Sequence, residues 1–205
     1  MARARRYIII SLLATTCSVL TTSPWIAPSI ASKVVHSTHS SKPGNAAANK
    51  SKVAYHNLII NGEFDYDPER KGHIQVEKGG NQIYAWAVTS GNVEIVEGPE
   101  WSVQFGKKCI DLNGTGPGLI AQKIATEPGA TYKVNFWLAG NVLGPPPVKS
   151  MFVRAAGQTG AWSIDCTGKN HPVWSPITWE FQAEEPSTTI EFGSTTPGTC
   201  GNLID

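Results

Sequence analysis

The sequence predicts an all-β fold, an antiparallel β-sandwich of the jelly-roll kind, over residues 55–205. Three observations predict it. Apolar and polar residues alternate with period two through most of that stretch. Gly, Pro and Asn-Gly turn signals separate the alternating runs. No window of adequate length carries a helical period with caps, so no helix is on hand to cover an apolar sheet face, and a second sheet must.

The chain opens outside that fold. Arg3, Arg5 and Arg6 precede a largely apolar run, Tyr7 to Leu20, and Ser29-Ile30-Ala31 supplies small residues at a cleavage position. That order describes an export signal over residues 1–31. The run is short of the roughly 20 apolar residues that a span requires. Cys17 follows Thr15-Thr16, a poor match to a lipoprotein signal. Residues 32–54 are rich in Ser, Ala, Lys and Asn, too polar to offset the entropy of ordering, and read as a linker.

Within the domain the strand candidates run in order. They are 57–60, 83–88, 93–96, 101–105, 109–112, 119–125, 132–138, 148–155, 162–164, 177–181 and 190–192. The clearest is Tyr132, Val134, Phe136 and Leu138, alternating with Lys133, Asn135 and Trp137. Turns fall at Asn113-Gly114, Pro128-Gly129, Gly144 to Pro147, Glu185-Pro186 and Pro197-Gly198.

Charge is uneven. All 16 acidic residues lie at or after Glu63, against ten basic ones in residues 55–205, so the domain carries six net negative charges. An acidic domain without a basic stripe is a poor nucleic-acid binder. Cys109, Cys166 and Cys200 remain once the signal is removed. Three cysteines permit one bridge. Nearby turns favour Cys166–Cys200, whereas Cys109 lies inside a strand pattern.

Several segments form an ordered series: Asn57 to Asp65 (NLIINGEFD), Trp86, Gly91 to Val96 (GNVEIV), Cys109 to Gly114 (CIDLNG), Pro117 to Gln122 (PGLIAQ), Pro128 to Tyr132 (PGATY), Phe136 to Asn141 (FWLAGN), Ser194 to Gly198 (STTPG) and Leu203 to Asp205 (LID). The series resembles the choice-of-anchor C domain of secreted bacterial proteins. It also resembles related secreted domains of plant cell-wall proteins, with a galactose-binding-like jelly roll. The resemblance spans residues 57–205. It implies an extracellular or cell-surface location and binding to wall polysaccharide. It also implies a structural Ca2+ where first and last strands meet, with Asp65 and Asp205 as matching carboxylates, Asp67 beside them, and backbone oxygens near Asn61 and Glu63 completing an all-oxygen shell. In that pattern Ile204-Asp205 is followed by a last apolar strand, so the resemblance implies either a fragment or an open sheet edge.

Parity sorts the aromatics. Trp101, Trp162, Trp179, Tyr132 and Phe136 follow the oily faces and read as core. Trp137 shares the opposite face with Lys133 and Asn135, and Trp174 lies in a Pro-flanked loop. Sugar rings stack their C–H faces on exposed aromatics, while amides and carboxylates take the hydroxyls. Trp137 and Trp174, with Asn141 and Tyr66, are therefore the candidate glycan contacts; the alternative for Trp137 is that it covers apolar surface beneath a neighbouring loop. Asp111, among apolar neighbours, needs partners: it either holds the Asn113-Gly114 turn, the favoured reading, or faces a ligand. Asn113-Gly114-Thr115 is an N-glycosylation pattern at a turn, where access is expected. No nucleophile elbow, zinc-protease helix or phosphate loop is present, and no two Glu or Asp converge as a hydrolase pair. The reading is a secreted, non-catalytic carbohydrate-binding module. The alternative is a structural or adhesion domain whose partner is a cell-envelope protein.

Overall fold

The computed structural model describes residues 7–11, 56–66 and 72–205. Two antiparallel sheets face each other. The larger has seven strands. Its path runs from β1 (Tyr7–Ser11) through β7 (Thr131–Gly140), β12 (Asn202–Ile204), β5 (Lys108–Asp111) and β4 (Asn92–Glu97) to β2 (Ile74–Glu77), and β10 (Ser175–Gln182) pairs with β7 as well. The smaller follows the order β3 (Ala87–Ser90), β6 (Leu119–Ala125), β11 (Ser187–Ser194), β8 (Val148–Ala155) and β9 (Gln158–Asp165). Among the described strands only β1 departs from antiparallel pairing: it lies parallel to β7, Tyr7 opposite Thr131 and Ser11 opposite Asn135. No helix among the described residues is long and apolar enough to cross a membrane.

Period two sets the core. Tyr132, Val134, Phe136 and Leu138 all point inward from β7 and are buried. Phe136 meets Phe192 of β11 and Trp162 of β9 edge-to-face, with ring centroids 5.2 and 5.5 Å apart. These contacts cross between layers and favour one register, because slipping β7 by one residue would put all four apolar side chains outside. Trp162 and Trp179, expected in the core, pack against it half-buried.

Two stretches predicted as strands are not, and of the predicted 83–88 only Ala87 and Val88 lie in β3, the residues before them forming a turn. Residues 57–60 form no ladder. Ile60 instead exchanges both backbone groups with the Gln122 amide, at 2.8 and 2.9 Å. Residues 101–105 follow a 3-10 turn at Pro99–Trp101, and Ser102 adopts a left-handed backbone, φ 49°. The apolar alternation there serves a loop. Trp101 and Val103 fold onto the outer face of the larger sheet and join Val96, Cys109, Ala139, Leu203 and Trp174 in a second small core.

The expected Cys166–Cys200 bridge is absent: Cys109, Cys166 and Cys200 are all free thiols. The two sulfurs face different backbone sites. Cys166 Sγ lies 2.2 Å from where a β-carbon on Gly140 would stand, and Cys200 Sγ 2.7 Å from the equivalent point on Gly144. Lys149, fully buried, donates from Nζ to the carbonyls of Gly144 and Cys200, both at 2.7 Å.

Candidate functional site

The outer face of the larger sheet carries a polar row. Strand register places Gln75 beside Glu94, Glu94 beside Asp111, Asp111 beside Leu203 and Leu203 beside Ala139. Residues in register on neighbouring strands share a face, so this row is fixed by sheet geometry rather than by proximity in sequence. At its β2–β4 end an open cleft of about 330 Å³ is lined by His73, Gln75, Glu94, Trp101, Thr115 and Asn141, among others. Leu143, largely exposed, also borders it.

The walls are braced. His73 Nδ1 sits 3.5 Å from Glu94 Oε1, and its ring tilts against Trp101 at 5.3 Å. Gln75 Nε2 donates to Glu77 Oε1. Asn92 holds Thr115 from both ends of its amide, accepting from Thr115 N at 2.8 Å and donating to its Oγ1 at 2.9 Å. Asn141 donates to Asp111 Oδ2 at 2.7 Å and accepts from Leu143 N at 2.9 Å. Asp111 does hold the Asn113 turn, accepting from Asn113 N at 2.9 Å, and it reaches further, accepting from Gly201 N at 3.1 Å. One buried carboxylate thus ties together three segments that border the cleft. Burial pushes its pKa up to about 7; the three hydrogen bonds oppose that shift, and the charge of Glu94 adds to it.

The predicted contacts are only partly assembled. Asn141 lines the cleft, but both halves of its amide are engaged. Trp174 donates from Nε1 to Trp101 O at 3.0 Å, so it backs Trp101 from the second core. Trp137 is half-buried on the outer face without bordering the cleft, and its Nε1 is buried without a partner. Tyr66 belongs to a separate surface and stacks on Tyr84. His73, Gln75, Glu94 and Thr115 were not foreseen. Gln75 and Glu94 stand in the sequence only as the polar positions of alternating runs; the convergence of all four depends on β2 and β5 flanking β4, which no local pattern reveals.

Asp65 and Asp205 bracket one loop. Asp205 Oδ2 accepts from Gln104 N at 2.7 Å and Phe105 N at 2.9 Å, while Asp65 accepts from Lys107 N and Lys108 N at 3.0 to 3.1 Å. Together they pin the loop that carries Trp101. Asp205 Oδ1 is buried without a partner. Burial pushes Asp205 up to about 6; its two backbone hydrogen bonds oppose the shift, and the charges of Asp65 and Glu63 add to it. Asn61 O already accepts from Trp86 Nε1 and Phe64 N. No group of three or more His, Cys, Asp or Glu gathers as a metal site among the described residues. Asp67 lies outside them.

The glycosylation pattern is corrected. Asn113 is 0% exposed, and its Nδ2 donates to Thr196 O at 2.8 Å and Gly198 O at 2.6 Å. The turn is at the surface, but the asparagine side chain points into the protein.

Among known proteins, the chain is 30% identical over 157 residues to halomucin of Haloquadratum walsbyi, a match covering 73% of this chain and 2% of that protein. The chain therefore spans a very small part of the curated relative it matches. The structure resembles one described as CBM4 structure and function, with TM-score 0.43, 14% identity and coverage of 72% and 95% of the two chains. It also resembles TmCBM61 in complex with β-1,4-galactotriose, with TM-score 0.41, 17% identity and coverage of 58% and 82%. At these scores the likeness says nothing about a ligand. A family model described as protein of unknown function (DUF642) matches residues 57–205, the span over which the sequence series lines up. The chain belongs to that DUF642 family.

Proposed function

We propose that the domain is a secreted, non-catalytic glycan-binding module and that the cleft between His73, Gln75, Glu94, Trp101 and Thr115 receives the sugar. The observation that carries this is the lining: an amide, a carboxylate, an imidazole and a hydroxyl converge beside an indole in about 330 Å³. That volume lies at the small end of the range for ligand pockets, on the order of 300–1,000 Å³. Hydroxyl-rich ligands need such mixed donors and acceptors, and Trp101, only 2% exposed, serves as a rigid backing for the His73 ring rather than as a stacking surface. Among the described residues, Glu94 is the one carboxylate lining the cleft. Glycosidic cleavage ordinarily needs two flanking the bond, so the arrangement suits holding a chain rather than cutting it.

Titration calorimetry with a panel of plant and bacterial wall oligosaccharides tests the proposal. Gln75→Ala and Glu94→Gln are each expected to weaken binding by about tenfold, the loss of roughly one hydrogen bond to a ligand. Wild-type affinity in both folded variants removes the cleft from the site.

Ca2+ and export complete the proposal. Support for the ion is Asp205 Oδ1, buried without a partner near the carboxylates of Asp65 and Glu63. An ion bound there stabilises the native state by linkage. Melting in Ca2+ is then expected several degrees above melting in chelator, and the difference should vanish in Asp205→Asn. Equal melting temperatures for the wild-type protein with and without the ion would remove Ca2+ from the account. Export predicts that the mature protein starts after Ala31, without the segment that forms β1, and the mass of secreted protein reads this directly.

A further inference from the structure

Away from the cleft, two tyrosines stand in the open. Tyr66 is 66% exposed and Tyr84 50%, and their rings stack with centroids 4.2 Å apart and planes 23° from parallel. Neither borders the cleft. Ile60, 56% exposed, belongs to the loop that carries Tyr66. An isolated exposed aromatic calls for no explanation, but a stacked pair at the surface has its rings held in place.

The holding is visible. Asn61 donates from Nδ2 to Tyr84 O at 2.9 Å, and its Oδ1 accepts from Tyr66 N at 3.1 Å. Its carbonyl accepts from Trp86 Nε1 at 3.0 Å. A single asparagine therefore links the loop before Tyr66 to the turn that carries Tyr84. The backbone on both sides is strained. Asn61, Phe64 and Ala85 adopt left-handed conformations, φ 54°, 57° and 66°. For Phe and Ala this costs roughly 1 kcal/mol or more each. Phe64 is buried against Trp86, ring centroids 5.7 Å apart, which anchors the loop while Tyr66 turns outward. Two rings are thus fixed side by side at a conformational cost, each with one face covered by the other. Rigid aromatics lose little freedom on binding, so their remaining faces suit a ligand with a flat apolar surface.

We propose that Tyr66 and Tyr84 form a second, loop-borne glycan subsite, pre-organised by Asn61, that stacks a pyranose ring of the same polysaccharide class as the cleft. This rests on the glycan reading of the domain. Two separated subsites on one domain raise retention on a polymer by effective concentration, without raising affinity for a short sugar at the cleft.

The test uses protein labelled uniformly with 15N, so that the cleft residues report, and with ring-labelled tyrosine, titrated with β-linked gluco- and galacto-oligosaccharides of two to six units and followed by NMR. Tyr66 and Tyr84 ring signals are expected to shift in wild type and equally in the cleft double variant Gln75→Ala/Glu94→Gln. Tyr66→Ala/Tyr84→Ala should cut retention on the matching insoluble polysaccharide roughly five-fold and leave short-sugar binding at the cleft intact. Asn61→Gly keeps the backbone freedom and both rings but removes the ties, and should lower retention as well.

If cleft signals shift and tyrosine signals do not, the second subsite is overturned and the cleft reading stands. If the tyrosines shift while the cleft is silent, the subsite stands and the cleft reading falls. If neither responds to any sugar, both fall. If tetramethylammonium shifts the tyrosines and sugars do not, the rings select cations and the glycan subsite is overturned.

Discussion

Between about pH 4 and pH 7 the protein is expected to lose stability as the pH rises, and Asp111→Asn is expected to remove the part of that loss that Asp111 carries, leaving the smaller part due to Asp205, which is pushed up to about 6. The sign follows from burial. Asp111 is pushed from its ordinary 3.8 up to about 7 in the native state, chiefly by desolvation. In that window the native protein holds a proton that the unfolded chain has released, so raising the pH favours unfolding. The contribution is fully present below the unfolded value of 3.8 and is gone once the pH has passed through the native value of about 7. Its upper size is on the order of 4 kcal/mol, from about three pH units at 1.36 kcal/mol each. Urea unfolding of both proteins from pH 4.5 to 8.5 measures it as a difference of slopes. Parallel curves would show that Asp111 titrates as an ordinary surface carboxylate. Because Asp111 holds Asn141, Asn113 and Gly201, its ionisation bears on the cleft wall as well as on the fold.

Gly91→Ala is expected to cost about 3 kcal/mol or more. Gly91 stands alone between β3 and β4, where the chain leaves the smaller sheet for the larger. Its φ is +57°, and a β-carbon there would stand 2.1 Å from Pro117 O. The obstructing atom is backbone, so no side chain can swing aside, and both flanking residues are locked in strands. Gly157→Ala is the control: φ is +71° and nothing lies within 4 Å, so only the backbone term remains, about 1 kcal/mol. Denaturant midpoints for the two variants separate crowding from conformational preference. Equal losses would mean that Pro117 gives way.

The sheets were legible because alternation records burial. Residues 119–125 and 148–155 were predicted with the bounds that β6 and β8 adopt. Residues 101–105 misled for a physical reason: a loop that lays Trp101 and Val103 on an outer sheet face shows the same alternation as a strand. Residues 74–77 went unread as a strand, although Ile74 and Val76 alternate there, because the run is only four residues long. The cleft was illegible for a different reason. Glu94 and Asp111 are neighbours across two strands, and Gln75 joins them only because β2 pairs with β4. Parity marks Trp137 as outward-facing and leaves open a loop laid over it; what parity does not identify is that the covering loop is the one that carries Trp101.

The depth of Asn113 decides when an attached sugar could be tolerated. In a host whose export machinery modifies Asn-x-Thr, the enzyme meets this site on the nascent chain, before the side chain has gone inside. A glycan placed there replaces one of the two N–H hydrogens that Nδ2 gives to Thr196 O and Gly198 O, and its bulk cannot be accommodated once the layers close. Modification and folding therefore compete in time, and a chain that loses the race should be retained as misfolded material. For such a host, yield would depend on the order of two events rather than on native-state stability.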